Sequence, residues 1–177
     1  LEEVVFNGRV PQDYETFAFP GHFGEWNFCK TGPDQERKRP YDLAVRVFLL
    51  IAKLHLGEAM TLSGNAPLAD WAEAASLIED RLLLPVDVYW ALEQVLLRVE
   101  DGRGKVFLVE AKRNAPWEKL KNHLARLEPL HPLGLLFWPF QGPYRLLGEA
   151  RLPQEDLSRL YAGSFYQALL EKEEGQG

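Results

Sequence analysis

The sequence predicts an α/β or α+β fold, a mixed central sheet flanked by helices behind an N-terminal extension. Three observations lead there. Residues 68–83 and 116–128 carry apolar side chains at helical spacing, with Trp71, Ala75, Ile78 and Leu82 on one stripe and Trp117, Leu120, Leu124 and Leu127 on the other. Between them, "QVLLRVEDGRGKVFLVEAK" places two β-prone runs either side of Asp101-Gly102-Arg103-Gly104, the pattern of a hairpin. "LGLLFWPF", residues 133–140, is a short apolar run of the kind that makes a buried strand.

The elements follow in order. "VVFNGRV" has the Asn7-Gly8 dipeptide of a tight hairpin turn. The aromatic, Gly- and Pro-rich stretch from Pro11 to Arg39 reads as irregular or short-stranded structure. Pro40 suits the start of a helix from Tyr41 to about Leu56, apolar on nearly every side and therefore buried, stopped at Gly57. The 68–83 helix ends at Pro85. Residues 86–99 are read as strand from the β-prone "VDVYW" and "QVLLRV", a helix being the competing reading. Asn114 as N-cap and Pro116 in the first turn open the 116–128 helix. "QGPY" is a turn, "RLLGEARL" the hairpin partner of the 133–140 strand, and a last helix begins near Gln154 and is interrupted at Gly163-Ser164. One domain accounts for all 177 residues, with 1–40 as β/loop extension, 41–172 as core and 173–177 as a flexible tail.

Composition sets limits on function. Hydrophobic residues at 46% and charged residues at 26% are globular proportions. The most apolar segment, "AVRVFLLIAKLHLG", contains Arg46 and Lys53 and is too short to span a bilayer, and no secretory leader opens the sequence. Cys29 is the only cysteine, which excludes an internal disulfide and a cysteine zinc cluster, so a reducing, cytoplasmic setting is expected. One Cys and one Met beside many Leu, Glu, Arg and Pro make a composition of the thermophilic kind. A net charge of −6 argues against coating nucleic acid by bulk attraction. Local surpluses remain: five Lys/Arg against one Glu from Lys112 to Arg126, and four Lys/Arg against two acids from Lys30 to Arg39.

The chemistry-bearing residues gather at one place. A loop centred on Gly102-Arg103 pairs positions summing to 205, setting Val95 opposite Glu110 and Glu93 opposite Lys112. Alternation then puts Val95, Leu97, Val99, Val106 and Leu108 on one face, with Glu93, Glu110 and Lys112 at its open end. Two carboxylates in reach of each other call for a cation, supplied by Lys112 or by Mg²⁺ or Mn²⁺.

An acid on one hairpin strand, "E-x-K" at the end of the next, then a helix and another strand resembles the PD-(D/E)xK nuclease superfamily. Over roughly residues 68–140 the family core would take the helix at 68–83, the strands across 86–111, the helix at 116–128 and the strand at 133–140. The resemblance implies a restriction-endonuclease-like fold, phosphodiester hydrolysis with Mg²⁺ or Mn²⁺, Glu93 and Glu110 as metal ligands and Lys112 as catalytic lysine. It further implies that Arg113, Lys119 and Asn122 approach the nucleic-acid backbone and that Glu79 is an auxiliary acid. The sequence departs from the family at the first acid, where Leu92 rather than Pro precedes Glu93; Asp87, two residues after Pro85, is an alternative ligand. The rival expectation is a catalytically inactive protein-interaction domain on the same scaffold, its Glu-Lys-Glu cluster a salt-bridge network.

The remaining signals favour ordinary roles. His22, His55, His123 and His131 lack metal-ligand spacing, and His55 is expected as a hydrogen-bonded core residue. Cys29 is expected as a small buried hydrophobe, Trp138 and Phe140 as core rather than a base-stacking platform, and Asp70, Trp71 and Glu73 as helix-opening residues.

Overall fold

The computed structural model describes residues 3–6, 16–19, 40–63, 66–127 and 138–158. The fold is α+β, built of β1 (Val4–Phe6), β2 (Phe17–Phe19), α1 (Pro40–Leu56), a 3-10 turn (Gly57–Ala59), α2 (Leu68–Leu82), α3 (Val88–Ala91), β3 (Gln94–Glu100), β4 (Val106–Lys112), α4 (Trp117–Leu127), β5 (Arg145–Ala150) and α5 (Gln154–Ser158). No helix among the described residues is long and apolar enough to cross a membrane. The chain divides into two compact units, Leu1–Met60 with Glu73–Val86, and Thr61–Ala72 with Asp87–Gly177.

In the first unit β1 and β2 pair antiparallel, Val4 opposite Phe19. The Asn7-Gly8 turn, Cys29, His22 and the basic run from Lys30 to Arg39 lie outside the described residues. Phe17 and Val45 are buried together, and Phe48 meets Phe17 and Phe19 edge-on at centroid distances of 5.6 and 5.2 Å. Helix α1 is buried at Val45 and Leu50 but also at Asp42, Arg46 and Lys53, whose ammonium donates to the Met60 carbonyl at 2.6 Å. His55 is exposed in the last turn, not in the core.

The second unit is organised by an antiparallel sheet of order β4-β3-β5. The described strand pairings are all antiparallel, where the sequence suggested a mixed sheet. Two expectations are corrected here. "VDVYW" is not strand: the Asp87 carboxylate accepts the Tyr89 and Trp90 amides at 3.0 and 3.3 Å, and this local cap turns Val88–Ala91 into a helix despite their β propensity. "RLLGEA" pairs with β3, and Trp138–Phe140, the described end of the expected 133–140 strand, lies in no regular element.

The β3–β4 register also differs by one residue from the expected one. Asp101 and Lys105 close a three-residue loop, Gly102-Arg103-Gly104, so paired numbers sum to 206, with Leu96 opposite Glu110 and Gln94 opposite Lys112. The cause is Asp101. Its Oδ1 accepts the amides of Arg103 and Lys105 at 2.9 and 2.8 Å, and Gly104 takes φ +81 to complete the odd-length turn. A slip of one residue exchanges the faces. Leu97 and Val99 therefore share their face with Phe107 and Val109, and this face packs beneath Trp117, Leu120, Leu124 and Leu127 of α4. Phe140 and Tyr144 join that core, Phe140 stacked on Phe107 at 3.9 Å. Leu96 and Leu108, buried on the opposite face, keep Glu110 and Lys112 on their own side.

Candidate functional site

Helix α2 begins without a capping side chain of its own, because Pro67 precedes Leu68. The orphan Leu68 amide donates instead to both carboxylate oxygens of Glu110, at 3.1 and 3.2 Å. A cap of this kind stabilises by about 1 kcal/mol. That contact explains why an apolar strand ends in an acid: Glu110 receives the positive N-terminus of α2.

The site retains unusual electrostatics all the same. Burial raises the Glu110 carboxyl above the ordinary carboxylate range, and the charge of Asp70, in the first turn of α2, raises it further against the lowering effect of the Leu68 amide. By sequence alone Asp70 is an ordinary helix-opening acid. The missing local cap at Pro67-Leu68 is the signal that an acceptor must come from elsewhere and bring itself close to Asp70. Two residues beyond Glu110 on the same strand face stands Lys112, exposed and opposite Gln94, whose Oε1 is buried without a hydrogen-bond partner.

Glu93 does not join this face as the expected pairing had it. It precedes β3 in a left-handed conformation, φ +51, with an exposed side chain, and its carbonyl accepts the Arg113 amide at 2.9 Å. Strand alternation therefore does not extend to Glu93, and its strand-opposite residue is Arg113 rather than Lys112. Asp87 is engaged twice, capping α3 and pairing with Arg151 at 2.6 Å. Arg151 also lies 4.7 Å above the Tyr89 ring, and the Tyr89 hydroxyl donates to the Leu152 carbonyl and accepts the Leu152 amide. Burial raises the Tyr89 phenol above its ordinary value. Glu79 accepts the Val86 amide at 3.1 Å, closing the chain after α2.

Arg113 is exposed in the turn between β4 and α4, and Lys119, Asn122, His123 and Arg126 are exposed on the outer face of α4. Asn114 lies in that turn and Pro116 immediately before α4, the Pro116 carbonyl taking the first helical hydrogen bonds from Lys119 and Leu120. Lys121 pairs with Glu118, and the Arg126 Nε donates to the Asn122 carbonyl. The structure thus brings together Glu110, Lys112, Gln94 and Asp70, with Arg113 next in the chain. It leaves Asp87 in a separate ion pair. Among the described residues no ion pair joins Glu93, Glu110 and Lys112, and no three of His, Cys, Asp and Glu form a metal-binding group.

No family model, no curated protein and no solved structure matches this chain.

Proposed function

We propose that this protein hydrolyses phosphodiester bonds in nucleic acid with the aid of Mg²⁺ or Mn²⁺, as a cytoplasmic enzyme. The observation that carries the reading is the Glu110 carboxylate at the open end of an apolar face, half-buried, raised by burial and by the neighbouring charge of Asp70, with Lys112 on the same face. The donors are all oxygen, which fits a hard divalent cation that keeps waters and takes phosphate oxygens as further ligands. Glu110, a ligand already expected from sequence, and Asp70, in place of the expected Glu93 and Asp87, would hold the cation. When bound, it supplies Lewis-acid polarisation of the phosphate and a water of lowered pKa. Lys112 would bring an ammonium to the charge developing on the phosphate oxygens. Arg113, Lys119 and Asn122 would contact the backbone, a contribution weakened by salt.

Calorimetric titration with Mn²⁺ and plasmid nicking, on wild type, Glu110→Ala and Asp70→Asn, test this. Wild type is expected to bind at millimolar Mn²⁺ or below, and each variant to lose binding and about 100-fold or more of cleavage. Asp70→Asn leaves the Leu68–Glu110 hydrogen bonds in place, so its loss would not be a folding effect. Absence of binding by wild type would overturn the metal mechanism.

A second reading, an inactive interaction domain on this scaffold, is favoured by the hydrogen bonds from the Leu68 amide, which give Glu110 a structural task without any chemistry. It predicts folded variants with unchanged partner binding and no cleavage by wild type.

A further inference from the structure

Hydrogen bonding between the Arg113 amide and the Glu93 carbonyl marks that position as a hydrogen-bonded pair of the hairpin. The next pair inward, Gln94 opposite Lys112, is therefore a non-hydrogen-bonded position, where antiparallel side chains approach most closely, about 5 Å between Cβ atoms. One member has a buried acceptor, Oε1, without a hydrogen-bond partner. The other has three donors on a four-carbon stem and no ion pair among the described residues. A buried carbonyl oxygen left unmatched is costly, and an ammonium next to it is the nearest remedy the sheet offers.

We propose that Gln94 is the positioning residue for Lys112: its amide oxygen receives the Lys112 ammonium and holds it on the Glu110 side of the sheet. A neutral acceptor serves this purpose better than a carboxylate. It orients the ammonium without neutralising it, leaving the full charge for an anionic group arriving between Lys112 and Glu110. The catalytic consequence rests on the phosphodiesterase reading; the contact itself does not.

The test separates the two. In ¹⁵N spectra of lysine ammonium groups, the Lys112 signal, assigned with Lys112→Arg, is expected to persist where that of exposed Lys119 is lost to solvent exchange. It should disappear in Gln94→Leu and return in Gln94→Glu, with backbone amide spectra verifying the fold of each variant. In cleavage assays Gln94→Leu is expected to lower kcat about tenfold with KM within about twofold. A Lys112 ammonium that exchanges as fast as Lys119 in wild type, or is unaffected by Gln94→Leu, overturns the proposal. If the ammonium responds but no variant or wild type cleaves, the positioning stands and the phosphodiesterase reading falls.

Discussion

The two ends of the β3–β4 hairpin each carry a buried or half-buried acid, and they treat it in opposite ways. At the turn, Asp101 is almost wholly buried, and its carboxylate accepts the amides of Arg103, Lys105 and Gln141, with Arg103 Nε at 3.4 Å. Burial alone would raise this carboxyl, but the Lys105, Gln141 and Arg103 amides outweigh it and hold it below its ordinary value. At the open end, Glu110 has one amide donor, an acid for a neighbour and a carboxyl pushed upward. The first acid is matched by its surroundings as a charged group; the second is not. Acids of the first kind hold structures together, whereas poorly compensated ones are the usual candidates for chemistry.

The comparison predicts the largest effect at the turn. Asp101→Ala takes the acceptor from the Arg103, Lys105 and Gln141 amides at once and should cost about 3 kcal/mol in urea denaturation, with Asp101→Asn intermediate. A loss under about 1 kcal/mol would show that the turn does not depend on Asp101. Gly102→Ala comes next, at about 2 kcal/mol. A Cβ there would stand 2.4 Å from the Gly142 carbonyl oxygen and 2.8 Å from its carbon, backbone atoms already drawn close by the 2.6 Å hydrogen bond from the Gly102 amide to Gln141. The smallest effect belongs to Glu110→Gln, within about 1 kcal/mol at neutral pH.

The sharper distinction is the sign of its pH dependence. Asp101, lowered when folded, contributes stability that is present above its ordinary value of 3.8 and is lost as pH falls further. Glu110, raised when folded, contributes stability that is present below 4.5 and is lost as pH rises through its elevated folded value. Stability relative to wild type should therefore rise with pH for Glu110→Gln above pH 4.5 and fall with pH for Asp101→Asn below 3.8. Equal slopes in urea titrations across that range would erase the contrast between the two ends.

How much of this was legible beforehand depended on the range of the forces involved. The α2 and α4 stripes were readable because their spacing is local and repeats: Trp71, Ala75 and Ile78 are buried as expected, although Leu82 is exposed. Trp138 and Phe140 were also placed correctly in the core. The hairpin was recognised but its register missed, since one aspartate side chain decided between an even and an odd loop. That single residue removed Glu93 from the expected constellation. The pairing of β5 with β3 and the meeting of Glu110 with Leu68 join positions 42 or more residues apart and leave no periodic trace. Asp70 entered the site by that second route.

β5 differs from β4 in one further respect. Its ladder with β3 shifts between Arg98 and Val99, so that Leu147 stands opposite no residue and Gly148, at φ +145, restores the pairing. A strand that already accommodates one supernumerary residue is where this sheet can gain or lose chain length without inverting its faces. On β4 the same insertion would turn Phe107 and Val109 out of the core and carry Glu110 away from α2. A one-residue length change is thus expected to be tolerated along β5 and to be disruptive between Asp101 and Lys112.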